Sequence, residues 1–546
     1  MRTRIGLGLA LLLAQAACTG SVFNGGSDAG DPGTGDDAGS VHGGGNPDAG
    51  TDASPEAEPP PPGCDTSKLP TEDVCVVNDA EGIFVSSSLG KATGDGTKAS
   101  PLASLAAGIE AAKAAHKRVY ACAETYGESI AIENGVDVFG YFACNSSWAV
   151  VQTSHAKVAS PTSPAATATN VTTPTRVENV DLVAPDFTSN SQSSIALIAS
   201  GSPSLTIKNA TIHAGTGGDG AHGTDGVQLS DSSNKKGLNG IGYDICNGAI
   251  GHCVTAIARY QPGPTNACVG EAGHDAGPGG DGGWNGVYVA VVNQNQTEVW
   301  KPNGQASTVG LPLVGSASTT QGGGFLVVPS NGANGLSGFD GQSGGPIGTI
   351  SANGYTPADG TGGTDGQPGQ GGGGAAGLQD MNGVISVQGQ PIGRTAQGEG
   401  GASGGAGGCP GLAGTAGKGG GASIALIAVQ SGLTLDTVTI ESSSGGIGGQ
   451  SGQGSKHTVG GTGGAASANT VHAANGGDGG YAGVSGNGGG GPSVGIAFAG
   501  SAPQRLATTI KQGAGGAGQL PRTGLDGKTI PASSNGASYD LYDFGS

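Results

Sequence analysis

The sequence predicts an all-β chain of stacked strand–turn–strand units, with one helix near its start and long glycine-rich insertions between units. Three observations carry this. Ser194-Ile-Ala-Leu-Ile-Ala199 recurs as Ser423-Ile-Ala-Leu-Ile-Ala428 and, more loosely, as Ser493-Val-Gly-Ile-Ala-Phe498. The first copy is followed by Leu205-Thr-Ile-Lys-Asn-Ala-Thr-Ile212 and the second by Leu433-Thr-Leu-Asp-Thr-Val-Thr-Ile440. Glycine fills 114 of 546 positions, against an average usage of about 7%, and in the insertions it recurs every third residue. Aromatic residues at 4% and charged residues at 12% exclude a helix bundle or coiled coil. A net charge of −19 argues against nucleic acid, whose binding rests on neutralised phosphates.

Taken in order, residues 1–17 read as a signal peptide: Arg2 and Arg4, the apolar run Ile5–Ala14, then Ala16 and Ala17. The apolar run is too short to span a bilayer. Cys18 directly follows, and the arrangement resembles a bacterial lipoprotein lipobox, in which that thiol is acylated. Gln15 departs from the leucine that the pattern prefers, and ordinary cleavage after Ala-Gln-Ala is the competing reading. Thr19 after the cysteine implies, by the same resemblance, the outer membrane. Residues 18–63 form a tether of Gly, Asp, Ala, Ser and Pro without Lys or Arg, ending in Pro59–Pro62. Such a segment has too little apolar surface to offset the entropy of ordering.

Residues 64–214 hold the cap and the first stacked units. Gly82–Ser86 reads as a strand. Ser100 is expected to cap a helix with Pro101 at its first position. Leu102, Leu105, Ile109 and Ala112 fall on one face, and His116, Lys117 and Arg118 suit its C-terminal end. Strands Val119–Ala123, Ser129–Ile132 and Val136–Phe142 follow, with a tight turn at Asn134-Gly135. This stretch, 82–144, resembles the N-terminal cap of the pectin-lyase-like, right-handed parallel β-helix family. The matching residues are Phe84-Val85-Ser86, Gly96-Thr97, Pro101-Leu102, Thr125-Tyr126, Glu128 and Gly140. The resemblance implies a right-handed parallel β-helix whose open core end is plugged by an amphipathic helix. Val177-Glu-Asn-Val-Asp-Leu182 matches Ile207-Lys-Asn-Ala-Thr-Ile212, which sets Asn179 and Asn209 in one slot, as in a stacked asparagine turn.

Residues 215–421 read as a glycine-rich insertion with a hairpin near 284–300, where Trp284, Tyr288 and Trp300 flank the apolar run Val287–Val292; 422–546 hold further units with glycine loops. Four runs keep the period of three: Gly332 to Gly344, Gly360 to Gly372, Gly408 to Gly420 and Gly477 to Gly489. Three residues per turn is the repeat of polyproline-II-type helices. Collagen fits poorly because the runs are short and proline-poor. Packed polyglycine-II-like strands stand against plain disorder.

Nine cysteines less Cys18 leave eight, an even number for an exported chain. Cys64 with Cys75 and Cys122 with Cys144 would staple the cap, while Cys246, Cys253, Cys268 and Cys409 allow three connectivities. Cys246-Asn-Gly-Ala-Ile-Gly-His252 and Cys268-Val-Gly-Glu-Ala-Gly-His274 repeat C-x-G-x-x-G-H, so Cys246, His252, Cys268 and His274 form an alternative zinc or copper set. Oxidation to disulfides is the expected fate. The Gly-Asp-Gly triplets at 218–220, 280–282 and 477–479 lack a calcium-repeat register and read as turns. For a polysaccharide-cleaving β-helix, stacked units would pair Glu178 with Lys208 and set Asp181 beside Thr211, an ion pair and an isolated acid in place of two facing carboxylates.

No catalytic, cofactor-binding or metal-ligating residue is assigned, and no cofactor is expected. The expectation is a non-enzymatic, lipid-anchored surface protein, held to the membrane by its anchor and engaged in adhesion to polysaccharide or extracellular matrix or in a structural envelope role. The alternative is a secreted polysaccharide lyase or hydrolase.

Overall fold

Short runs of β-branched and aliphatic residues, broken by asparagine, glycine and serine, favour strands that bend sharply and stack. The computed structural model describes residues 63–545 apart from 233, 243, 246–260, 378–383, 469 and several positions within 284–328 and 388–398. The signal segment, Cys18 and most of the tether lie outside the described residues. Those described belong to a single unit, Ala57–Ser546.

The stacked strands pair in parallel in two sheets, and six two-stranded antiparallel ribbons lie outside them among the described residues. One sheet runs Ile130–Ile132, Ala166–Thr169, Ser194–Ser200, Ser423–Val429, Ser493–Ala499, Ser538–Asp543. The other is a curled sheet through Gly82–Val85, Arg118–Cys122, Val138–Ala143, Thr175–Glu178, Leu205–Ala214 and Thr434–Ser442. Its parallel pattern is broken by the short antiparallel strand Ala149–Val150. The two long strands each span a corner. The first half of Leu205–Ala214 stacks on Thr175–Glu178 and its second half on Val180–Val183, while both halves of Thr434–Ser442 stack on Leu205–Ala214. The corner residues Asn179, Asn209, Thr437 and Ala507 all have positive φ. Asparagine tolerates that conformation better than most residues. Asn209 Nδ2 donates to Asn179 Oδ1 at 3.0 Å, and Asn179 Nδ2 donates to the carbonyls of Gln152 and Ser154. The shared slot predicted for the two asparagines is a hydrogen-bonded ladder.

Register follows the sequence repeats across the long insertion. Ser194 lies opposite Ser423 and Ile207 opposite Leu435, so 215–421 leaves and rejoins a stack that continues as if uninterrupted. Val177, Ile207, Leu435, Leu182, Ile212, Ile440, Leu197 and Leu426 form the interior, all essentially sealed from solvent.

The helix runs Leu105–Ala115, with Ser104 as its N-cap. Ser100 and Pro101 therefore precede it, contrary to expectation. Leu102 N–H donates to Phe84 O of the first strand, and Ser100 O and Pro101 O accept from Gly96 and Lys91 of the loop after it, so 100–102 is held by these bonds ahead of the helix. At the far end His116 is a left-handed C-cap and Arg118 already begins a strand, which leaves Lys113 as the basic residue of the last turn. Leu105 and Ile109 are buried, contributing about 1.5–3 kcal/mol each. Two motif residues acquire a reason here. Glu128 accepts from Leu105 N and Ser104 Oγ, both at 2.6 Å, which completes the helix start. Ser86, with Ser87 and Ser88, donates to the Glu124 carboxylate. Burial pushes Glu124 up, but the three serines outweigh it and hold its carboxyl below the usual range.

The glycine runs are ordered strands bonded to one another. N–H groups of Gly332, Gly335, Gly338, Gly341 and Gly344 donate to the carbonyls of Asn475, Asp478, Tyr481, Val484 and Asn487 in parallel. Gly366, Gly369 and Gly372 donate to Gly411, Gly408 and Gly405 in antiparallel sense, and Gly408 and Gly411 donate onward to Gly477 and Gly480. The bonds advance by three on both partners, as laterally packed three-per-turn helices require. Backbones approach so closely that a Cβ on Gly407 would lie 1.9 Å from Gly369 O.

At the rim of this slab, where no further backbone follows, short polar side chains take the next strand's N–H groups. Asp219, His222, Asp225 and Gln228, three apart, accept from Ile447, Gln450, Gln453 and Lys456. Asn331, Asn334, Asp340 and Ser343 serve Asn475, Asp478, Val484 and Asn487 in the same way. The Gly-Asp-Gly triplets expected to be turns belong to this class: Asp281 accepts from Gly263 N and Asp478 from Gly460 N. Their carboxylates are used by the slab's own amides.

Gly407→Ala should lower stability by about 1–3 kcal/mol or more, the cost of overpacking, whereas Gly362→Ala, with nothing within 4 Å of the added carbon, should be close to neutral. Thermal melting of both variants checks this.

Candidate functional site

Side chains that alternate outward along a parallel strand stack into rows between neighbouring strands. On the second half of the curled sheet two such rows are polar. Lys157 lies opposite Asp181, whose neighbour is Thr211, which faces Thr439 and then Thr509. The next row outward runs Val183, His213, Glu441 and Lys511.

Along these rows three acid–base contacts form. His155 Nδ1 lies 3.0 Å from Asp181 Oδ1, which also accepts from Thr211 N at 2.7 Å. Asp181 is therefore not the isolated acid expected. Lys511 Nζ reaches Glu441 Oε1 at 2.9 Å, and His213 Nδ1 stands 3.4 Å from Glu441 Oε2 without hydrogen-bond geometry. The hydrogen bond from Lys511, reinforced by its charge, outweighs burial and holds Glu441 below the usual glutamate range. Among the described residues this face gathers two histidines, two carboxylates and two lysines.

The predicted stacking of Glu178 with Lys208 exists as register, but not as the ion pair. Glu178 is 7% exposed and bonded to Arg176 of its own strand at 3.2 Å, while Lys208 turns to Asp436 of the next unit at 3.7 Å. A partner two residues along the same strand covers Glu178 first. His155, His213, Glu441 and Lys511 did not emerge from the sequence repeats, although extending the Leu205 and Leu433 copies one residue further brings His213 opposite Glu441.

Cys64 is joined to Cys75, Cys122 to Cys144, and Cys268 to Cys409. The last bond is deeply placed, with Cys409 wholly buried and Cys268 6% exposed. Asp231 sits beside it: Oδ1 accepts from Asn266 Nδ2 at 2.8 Å and from Thr458 Oγ1, and Oδ2 pairs with Lys235. Burial opposes ionisation of Asp231, yet Lys235, Thr458 and Asn266 together keep it below the usual range. With Cys268 oxidised, the duplicated C-x-G-x-x-G-H cannot supply it as a thiolate. Cys246, His252, Cys253, Trp284 and Trp300 lie outside the described residues. Val287–Val289 pairs antiparallel with Thr297–Val299. No cluster of three His, Cys, Asp or Glu suited to a metal occurs among the described residues, and no helix among them is long and apolar enough to cross a membrane.

No known family model, curated protein or solved structure matches this chain.

The Glu441–Lys511 pair stabilises the fold above the ordinary glutamate range near 4.5, and that contribution is lost as pH falls through the depressed folded value. Glu441→Gln should therefore cost at most about 1 kcal/mol at neutral pH, as for a half-exposed pair. The difference should vanish at a pH where Glu441 is protonated in both the folded and the unfolded parent, as paired melts at pH 7 and at strongly acid pH would read out.

Proposed function

We propose that this chain is an exported, lipid-anchored bacterial surface protein, in which a right-handed parallel β-helix of the pectin-lyase-like kind carries a polyglycine-II-like slab as a rigid platform for adhesion or envelope structure. The observation that carries the reading is the slab. Its strands are held to one another chiefly by backbone hydrogen bonds, with short polar side chains serving the remaining amides, and its large apolar side chains are left for display. Phe339 is 82% exposed and Leu336 55%, three residues apart on one strand, and Leu520 is 81% exposed elsewhere. Large apolar side chains held outward at fixed spacing suit contact with a partner surface. The lipobox-like Cys18 and the acidic tether support placement at the outer membrane or cell surface. Fold alone does not assign a task, and polysaccharide or matrix is the partner class this display favours.

A second reading, a secreted polysaccharide lyase or hydrolase, draws on the outward rows, where His155–Asp181 and His213–Glu441–Lys511 share one face of the sheet. Acid–base groups on one face are what such chemistry needs.

Two experiments separate these. Cys18→Ser should release the protein from the membrane fraction, and unchanged surface association would remove the anchor from the account. The released chain, incubated with bacterial and plant polysaccharides and calcium, should co-sediment with an insoluble polymer without producing unsaturated products or new reducing ends. Products abolished by His213→Ala would establish the enzymatic reading instead.

A further inference from the structure

A stack of parallel strands has two ends, and each end presents unpaired backbone and an open interior to water. Here the N-terminal end is covered by the helix, through Leu105, Ile109 and Ala112. At the other end the last strands are Gln504–Leu506, Thr509–Lys511 and Ser538–Asp543. Each pairs with described residues on one side only.

The register shows what has changed in these strands. The column Val177, Ile207, Leu435, buried at every earlier level, ends in Arg505. The column Ala199, Ala428, Phe498 ends in Asp543. Asp540 lies abreast of Gly495, between the pairs Val494 to Tyr539 and Ile496 to Leu541, in the slot that Ala196 and Ala425 fill as buried residues below. All three charged residues are exposed. Apolar residues persist beside them, with Leu506 at 54% and Tyr539 at 39% exposed, and with Ile510 and Leu541 still touching the core. Such an edge would otherwise be a template for another chain.

We infer that Arg505 and Asp540, set in core register on the terminal strands and aided by Asp543, form an electrostatic stop that prevents a second copy of this chain from stacking end to end on the C-terminal face. A second copy is the excluded partner because the face offers it the same parallel columns and the same unpaired edges that already hold the stack together. Coaxial contact would carry Arg505 and Asp540 out of water into a junction beside Leu506, Tyr539, Ile510 and Leu541. Charges of opposite sign there could meet across the junction, but the desolvation of both opposes the gain. Inward-set charges on edge strands act in this way generally.

The test uses the full chain in a Cys18→Ser background, so that no acyl chain contributes, followed by sedimentation equilibrium at low and high salt and by thermal melting. The parent should be monomeric at both salts. Arg505→Leu with Asp540→Ala should melt cooperatively and self-associate at least about a hundredfold more tightly, with an added Leu506→Lys reversing the effect. A folded double variant that stays monomeric over the same range overturns the inference. So does a parent dimer at low salt that high salt dissolves, because the charges would then recruit a copy. Should the double variant fail to fold, Asp540→Ala alone decides: association above the parent's supports the stop, and an unchanged monomer refutes it.

Discussion

Everything distinctive in this molecule depends on a backbone amide reaching the carbonyl of a neighbouring strand with no side chain in between. In the slab that contact recurs every third residue and sets the composition: one position in three must be bare, because a Cβ would stand about where a carbonyl oxygen already is. Net stabilisation per hydrogen bond is only about 0.5–1.5 kcal/mol, and glycine loses more freedom on folding than any other residue. A single glycine strand could not hold itself in place. Strands bonded to several neighbours at once can, and the rim residues Asp219, Asp225 and Asn334 show how strictly the leftover amides are satisfied where neighbours run out.

The stacked sheets solve the same accounting differently. There side chains fill the interior, and the corners are the constrained points. The bond from Asn209 to Asn179 links two levels at a position where the backbone is left-handed, so one residue type serves both conformation and pairing. Above this corner Thr437 and Ala507 keep the conformation without the amide ladder, and Ala507 stands at the last described level of this corner.

Much of this architecture was legible because it is written as repetition. Copies of one strand unit must stack in one register, so aligning Leu205 with Leu433 or Ser194 with Ser423 reads pairings directly, and the period of three identified the slab strands. Where the reading failed, the cause was a partner that no repeat encodes. Leu102 was drawn to the first strand and kept Pro101 out of the helix, Glu178 was claimed by Arg176 before Lys208 could reach it, and the aspartates of the Gly-Asp-Gly triplets were taken up by amides from distant strands. The histidine rows were missed for a related reason: His155 lies before its strand, and His213 one residue past the recognised motif.

The uninterrupted register across 215–421 has a consequence for how such a chain grows over evolutionary time. Neighbouring strands joined by more than two hundred residues are closed by a loop whose entropic cost rises only with the logarithm of its length, about 0.6 kcal/mol per doubling. Lengthening an excursion that already makes its own lateral bonds is therefore nearly free for the stack beneath it. The corner after Ala214 acts as a socket: whatever leaves it need only return within reach of Ser423, and the body below can remain constant while the part above it is enlarged, trimmed or exchanged.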